Sequence, residues 1–243
     1  MYSSFAYFYD TFTENVEYKK RTDYICRLFK KYGKMPTLLL DAACGTGSFS
    51  AEFANRGISV IGADISPDML SVAAEKCEGQ DVLLINSALS ELDLYGTVDG
   101  AVCLLDSLNH ITDYKEFCRS VERISLFLEK DALFIFDVNT EYKHSEILGN
   151  NTFTLEDENV FCVWRNNYIK RSKTTEITLD FFEKNGEVYN RYSEVFSERV
   201  YSDKEIITAL RKAGLEVVAL LGENTLSEPK ENCQRKFFVA RKV

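Results

Sequence analysis

Apolar residues in the first half of the chain follow two alternating patterns. Short continuous runs such as Thr37–Leu40 and Ala132–Phe136 are typical of strands that are buried on both faces of a parallel sheet. Between such runs, as over Phe117–Leu128, apolar residues recur every three or four positions, which indicates amphipathic helices. Strands that alternate with helices over Pro36–Asp137 predict a doubly wound, mostly parallel α/β sheet.

The period changes to two in the second half of the chain. Apolar and polar residues alternate in Glu176–Asp180, and Asn185-Gly186 is a hairpin signal between two such runs. This predicts an antiparallel insertion. A capping box, Ser202–Glu205, then restarts a helix, and we expect Leu215–Leu220 and Phe237–Ala240 to complete a seven-stranded sheet.

A glycine turn follows the first predicted strand and leads into a helix near Ser48. Gly45 and Gly47 lack a Cβ, so the backbone can adopt positive φ and a ligand can approach the main chain. Asp41 places a carboxylate at the carboxyl end of the strand, where open α/β sheets bind ligands. Asp64 ends the next strand, from which a carboxylate can accept both hydroxyls of a ribose.

The residues of this turn do not match two common nucleotide-binding motifs. Ser50 stands where a dinucleotide fingerprint has its third glycine, and no lysine follows Gly47 as in a Walker loop. Asp41 would repel a pyrophosphate and suits a ligand with a cationic amine and sulfonium. A nicotinamide dehydrogenase is therefore disfavoured.

These segments resemble the motifs of class I S-adenosylmethionine-dependent methyltransferases, particularly bacterial small-molecule enzymes of unassigned substrate. The resemblance is carried by Leu40–Gly47, Asp64–Leu70, Asp106–Asn109, Tyr2–Asp10 and Lys236–Ala240. It implies an N-terminal helical lid over residues 1–35, a Rossmann-like domain over residues 36–140 and 200–243, and an inserted antiparallel β subdomain over residues 141–199. It also implies in-line transfer of a methyl group from S-adenosyl-L-methionine to an N or O atom of a small-molecule acceptor.

The resemblance implies a cofactor site along the carboxyl edge of the sheet. Its expected members are Tyr18, Asp41, Ala43, Gly45, Gly47, Asp64, Ile65, Met69, Ala88, Leu89 and Leu105. The glycine turn would contact the methionine part, and Tyr18 the cofactor carboxylate. Ile65 and Met69 would cover adenine, although each is equally expected as a core residue.

Ala88 departs from the family pattern, which has an acid here to receive the adenine amine. Its methyl group predicts weaker adenine discrimination or a compensating backbone contact. Ala43 also departs, since the family usually has glycine at this position, and we expect the extra methyl group to be tolerated.

Asp106, Asn109 and His110 follow the fourth predicted strand and are the candidate catalytic residues. Asp106 could orient or deprotonate an amine or hydroxyl, and the other two could contact the acceptor; capping of the next helix is the alternative. Methyl transfer mainly requires in-line positioning, so no triad is needed. With two histidines in the chain, we expect no metal site.

The net charge of the chain limits the classes of partner that it can bind. The formal net charge of −9 makes the protein a poor counterion for nucleic acid. An RNA or protein methyltransferase, or a non-catalytic S-adenosylmethionine-binding module, remains an alternative. The seven cysteines form no C-x-x-C pair, and neither a signal segment nor a long apolar run is present. We expect a reduced cytoplasmic protein that is not bound to a membrane; the sequence indicates no oligomeric state.

Overall fold

The computed structural model describes Ala6, Tyr9, Asp10, Thr13 and residues 16–243. Eleven residues of the predicted N-terminal lid (1–35), including most of the motif Tyr2–Asp10, therefore lie outside the described residues.

Helices and strands alternate in the first half of the described chain, and strands dominate the second half. The helices are α1 (Tyr18–Tyr32), α2 (Ser48–Ala54), α3 (Pro67–Lys76), α4 (Tyr114–Phe127) and α5 (Asp203–Lys212). The strands are β1 (Leu38–Ala42), β2 (Ser59–Asp64), β3 (Val82–Asn86), β4 (Val98–Cys103), β5 (Leu128–Asn139), β6 (Thr152–Glu156), β7 (Val160–Ile169), β8 (Thr174–Asn185), β9 (Val188–Arg199), β10 (Leu215–Gly222) and β11 (Arg235–Lys242). Short helical turns cover Leu89–Glu91, Ser107–His110 and Lys143–Leu148.

The larger sheet has seven strands in the order β10-β11-β5-β4-β1-β2-β3. β1 pairs in parallel with β2 and β4, and β2 with β3 and β4 with β5 are parallel as well. β11 is antiparallel to both of its neighbours. Because β2 and β4 flank β1 on opposite sides, the strand order reverses at β1, which opens a crevice at the carboxyl ends. The predicted Rossmann-like sheet is confirmed.

Both faces of this sheet are buried, as the continuous apolar runs predict. In β5, Phe134 and Phe136 contribute to the apolar cluster on one face, and Leu133 and Ile135 to the cluster on the other. Successive side chains of a strand point to opposite faces, so a strand with helices on both sides must be apolar throughout. The two clusters make the sheet a rigid base for the loops at its carboxyl edge.

Three of the described helices begin at a residue whose side chain caps the first turn. Ser66 accepts a hydrogen bond from the backbone N–H of Met69, and Asp113 accepts from Lys115 and Glu116. Ser202 and Glu205 form the predicted capping box at the start of α5. These bonds satisfy N–H groups that a helix leaves unpaired and so stabilise the starts of α3, α4 and α5.

The smaller sheet is antiparallel, with strand order β6-β7-β8-β9. Its last turn is Gly186-Glu187, one residue later than predicted, since Asn185 pairs with Val188. Gly186 has φ +64°, so it supplies the positive φ that the first central position of such a turn requires. The sheet contacts the carboxyl edge of the larger one: the Asn109 side-chain amide donates to the carbonyl of Arg199 at 2.8 Å.

Within the described part of the chain, no helix has both the length and the apolar character needed to cross a membrane.

Candidate active site

The glycine turn after β1 has left-handed backbone at three positions: Ala43 (φ +60°), Gly45 (φ +55°) and Gly47 (φ +76°). At Gly47 an added Cβ would lie 2.9 Å from the Cβ of Ala73, so this glycine allows the turn to pack on α3. Ala43 adopts the same region with a side chain, at a cost of about 1 kcal/mol. Ala43 and Gly45 line a large cavity, which is described below. Gly47 does not line this cavity and instead allows the turn to pack on α3.

Asp41 and Asp64 are buried at neighbouring strand ends, with exposed fractions of 2% and 9%. Asp41 accepts a hydrogen bond from the Ser50 hydroxyl at 2.6 Å. Ser50 stands where a dinucleotide fingerprint has its third glycine, and its hydroxyl thus holds this carboxylate in place. Burial raises the pKa of Asp41 to about 6, against the opposing effect of Ser50.

Asp64 accepts from the backbone N–H of Gly45 at 2.8 Å and of Ser66 at 2.9 Å, one bond to each oxygen. Each oxygen keeps a second acceptor site, which is what the two hydroxyls of a ribose require. Among the described residues no lysine or arginine is paired with Asp41 or Asp64. Two buried carboxylates without a cation fit a positively charged nucleoside.

A cavity of about 830 Å³ opens at this edge of the sheet. Its nucleoside end is lined by Ile65, Met69, Ser87, Ala88 and Leu89. The predicted adenine residues are therefore brought together. The Ser87 hydroxyl donates to the carbonyl of Ala88 at 3.0 Å, and Ala88 itself presents only a methyl group.

Tyr18 and Arg21 line the other end of the cavity. The Tyr18 hydroxyl donates to the Thr13 hydroxyl at 2.9 Å, and Arg21 Nη2 pairs with Glu223 Oε1 at 2.9 Å. Nε and Nη1 of Arg21 are buried and have no hydrogen-bond partner in the part of the chain that the structure describes. Donors of this geometry match a carboxylate. Arg21 is not among the residues predicted from the sequence, although it lies on the same face of α1 as Tyr18, one turn away.

The loop after β4 is held in a left-handed conformation at Leu105 (φ +56°) and Asp106 (φ +53°). Both backbone N–H groups donate to the carboxylate of Asp137 at 2.9 Å. Arg235, buried on β11, pairs with Asp137 and with Asp106 Oδ1, the latter at 2.6 Å.

The charge state of Asp106 follows from this pairing. Burial by itself would raise the pKa of Asp106, but Arg235, with Lys143 and His110, outweighs it and holds that pKa below its usual range. Asp106 is thus an ionised partner of Arg235, which suits orientation of a ligand better than acceptance of a proton.

The other two candidate catalytic residues occupy different environments. Asn109 is fully buried, and its amide donates to the Arg199 carbonyl and accepts from the backbone N–H of Asn139 at 2.9 Å. It does not line the cavity and links the two sheets. His110 does line the cavity, where its ring stacks on Phe196 with centroids 5.1 Å apart.

Asp106, His110 and Glu198 each place one oxygen or nitrogen atom within 4.8 Å of the others. Asp106 pairs with Arg235, whose guanidinium it shares with Asp137, whereas Glu198 pairs with no lysine or arginine of the described chain.

Comparison with known proteins decides the family. Residues 39–125 match the family model described as a methyltransferase domain. A protein of Geobacillus sp. (strain WCH70), named as a methyltransferase, is 31% identical over 245 residues, 99% of each chain. The chain belongs to the class I S-adenosylmethionine-dependent methyltransferases. The predicted enzyme class and cofactor are thereby confirmed.

Two further similarities place this methyltransferase among its relatives. The crystal structure of an S-adenosylmethionine-dependent methyltransferase from Clostridium acetobutylicum superposes with a TM-score of 0.89 at 29% identity, covering 99% of this chain and 98% of that one. The glycine/sarcosine N-methyltransferase of Parasynechococcus marenigrum is 27% identical over 152 residues, 61% of this chain and 52% of its own.

Cofactor affinity should depend on the charge of Asp41. Because the pKa of Asp41 is about 6 in the free protein, its ionised fraction falls below that pH. Binding of a cation lowers this pKa, so affinity rises with pH through that region and then levels off. We expect the Kd for S-adenosylmethionine, measured by calorimetry, to increase about tenfold from pH 7 to pH 5. Asp41→Asn should bind weakly at all pH values, and the exposed control Asp81→Asn should behave as wild type. A wild-type Kd that is constant over this range would contradict the assignment.

Arg21 should bind the carboxylate of the cofactor. Replacing it removes charge-assisted hydrogen bonds of about 1.5–3 kcal/mol, so Arg21→Ala should weaken S-adenosylmethionine binding by roughly 10- to 100-fold. Binding of 5′-methylthioadenosine, which lacks the amino-acid part, should be unchanged. Arg27→Ala, on an exposed position of the same helix, is the control. Equal losses for both ligands would show that Arg21 acts on the fold.

A carboxylate at position 88 should restore an acceptor for the adenine amine. One net hydrogen bond of about 0.5–1.5 kcal/mol predicts that Ala88→Asp tightens S-adenosylhomocysteine binding by about 2- to 10-fold. The hypoxanthine analogue, which lacks the amine, should gain nothing, and Ala88→Val controls for size. No tightening in calorimetry would mean that the amine is already bound elsewhere.

Proposed function

We propose that this methyltransferase transfers the methyl group to an N or O atom of a small-molecule acceptor held between its two sheets. The observation that carries the proposal is a continuous cavity that extends from Asp41 and Asp64 to the smaller sheet, where Trp164, Phe181 and Phe196 line it. One compartment thus contains a cofactor end and an acceptor end. A cavity of about 830 Å³ suits a cofactor with a small second molecule.

Two further observations favour a small acceptor over a nucleic acid. The chain has a net charge of −9, so phosphate backbones are repelled over most of its surface. The glycine/sarcosine N-methyltransferase, a partial relative, is named for acceptors that are small amines.

Different residues of the cavity meet the different requirements of methyl transfer. When bound, S-adenosylmethionine supplies a methyl group on a positively charged sulfur. Asp41 and Asp64 hold the cofactor. The loop at Leu105 and Asp106, which is hydrogen-bonded to Asp137, forms the surface along which the acceptor approaches the cofactor. The apolar wall of the smaller sheet excludes water. Positioning of this kind can lower the barrier by several kcal/mol without a proton relay to the leaving group.

Formation of S-adenosylhomocysteine tests the proposal. Purified enzyme is incubated with S-adenosylmethionine and, separately, with glycine, sarcosine, simple amines, phenols, total RNA and unfolded protein. We expect product with at least one small molecule and none with RNA or protein. Asp41→Asn should abolish turnover at pH 7. Methylation of RNA or protein alone would refute a small-molecule acceptor.

A further inference from the structure

Glu198 is a buried carboxylate that lines the cavity and has no part in the cofactor site described above. It lies near the end of β9 with 5% of its surface exposed. Strand alternation places it on the same face as Phe196, and both side chains line the cavity. Its Oε2 accepts from Asn139 Nδ2 at 3.3 Å.

No lysine or arginine nitrogen of the described chain lies within 4 Å of Glu198; the nearest basic groups are two histidines. His110 Nε2 lies 3.8 Å from Oε1, and His144 Nε2 lies 3.6 Å from Oε2. Asp106 and Asp137, by contrast, share the guanidinium of Arg235. Glu198 is therefore a carboxyl group that lines the cavity without a lysine or arginine partner in the described chain.

His144 does not supply that partner. It is fully buried, its Nδ1 shares a hydrogen bond with the Thr175 hydroxyl at 2.7 Å, and its Nε2, which faces Glu198, has no hydrogen-bond partner in the described structure. Burial lowers the pKa of His144 to about 4, so the ring is neutral at pH 7. His144 Nε2 thus lacks the partner that a buried polar atom requires, and Glu198 accepts a hydrogen bond from Asn139 but has no lysine or arginine partner among the described residues.

The groups around Glu198 shift its pKa in opposite directions, which leaves this carboxyl group able to exchange a proton. Burial and the nearby Asp106 raise the pKa of Glu198, whereas His110, Lys143 and the amide of Asn139 oppose the rise. Lys143 donates to Oδ1 of Asn139 at 2.9 Å, and Nδ2 of the same amide donates to Glu198, so Asn139 links the two side chains.

The wall beside Glu198 is apolar. Seven side chains of the smaller sheet line the cavity there: Leu155, Cys162, Trp164, Ile177, Leu179, Phe181 and Phe196. A ligand that occupies this space therefore has an apolar body, and burial of that body stabilises it by about 25 cal/mol per Å².

We propose that the acceptor is a primary or secondary amine carried on an apolar group, and that Glu198 is the catalytic residue that binds its ammonium form and removes a proton from it. This inference depends on the proposed function, a small-molecule acceptor, and names its class. The ammonium nitrogen faces Glu198 and His144, and the apolar group lies against the inner face of the smaller sheet.

The proton transfer makes the nitrogen nucleophilic. An ammonium group has no free electron pair; transfer of one proton to the Glu198 carboxylate gives the neutral amine and a carboxylic acid. The nitrogen pair then forms the N–C bond while the S–C bond breaks and its electron pair stays on sulfur. The product leaves as an N-methylammonium ion and S-adenosylhomocysteine, and the proton on Glu198 passes to solvent.

Glu198→Gln tests this inference, because it keeps the shape of the side chain and removes its charge. Glu194→Gln is the matched control: Glu194 lies on the same face of β9 but does not line the cavity. The probes are benzylamine and benzyl alcohol, which differ in the reacting atom alone. Binding of each to the S-adenosylhomocysteine complex is measured by calorimetry, and turnover by formation of S-adenosylhomocysteine.

The wild type and Glu194→Gln should bind benzylamine at least about tenfold more tightly than benzyl alcohol, and Glu198→Gln should lose this preference. Turnover of benzylamine should fall by about 10²–10⁴-fold in Glu198→Gln, with cofactor affinity unchanged. Because Glu198 must be ionised, wild-type kcat/KM should decrease as pH falls through its raised pKa, and this acidic limb should be absent in the variant.

Several results would overturn the inference. Retention of the amine preference or of the acidic limb in Glu198→Gln would remove Glu198 from this role. Methylation of benzyl alcohol but not benzylamine, or failure of benzylamine to bind, would refute the amine class while leaving a small-molecule acceptor intact. Loss of turnover on chelation with EDTA, restored by Mg²⁺, would assign the cluster to a metal ion.

Discussion

The buried ion pair of Arg235 with Asp137 and Asp106 is the interaction on which the site depends. It joins three strands, since Arg235 begins β11, Asp137 lies in β5 and Asp106 follows β4. Asp137 also accepts the N–H groups of Leu105 and Asp106, and so holds two non-glycine residues in left-handed backbone. Removing one member of such a buried group leaves an unpaired charge and costs about 3–5 kcal/mol. The loop at Leu105 and Asp106 is therefore held to the sheet by hydrogen bonds to a buried carboxylate.

Charge compensation separates the structural carboxylates from those that await a ligand. Asp106, Asp137 and, on the smaller sheet, Asp180 each contact arginine. Asp41, Asp64 and Glu198 are equally buried, face the cavity and have no lysine or arginine partner among the described residues. A buried carboxylate without a cation is costly, so its position in a cavity indicates a cationic ligand. The cofactor fits the first two positions, and an ammonium group fits the third.

The two sheets contribute different properties. The seven-stranded sheet, covered on both faces, presents polar and backbone groups along its carboxyl edge. The four-stranded sheet adds an apolar wall with its own small core. Hydrogen bonds join the smaller sheet to the carboxyl edge of the larger one, as where the Asn109 amide donates to the carbonyl of Arg199. Transfer by in-line displacement needs a fixed separation of cofactor and acceptor more than it needs a reactive side chain.

Local features could be predicted from the sequence alone: the strand, glycine turn and helix around Asp41, the cap at Ser202, and the change of period that predicts the second sheet. Each depends on residues that are close in the chain, whose spacing dictates backbone conformation. The tertiary structure alone decided the partners of Arg21, Arg235 and Glu198. Alternation shows that a strand has two faces but not which face meets the cavity, and a charge pattern does not reveal an ion pair between residues 106 and 235. Such pairings arise from the packing of distant elements, which no local pattern encodes.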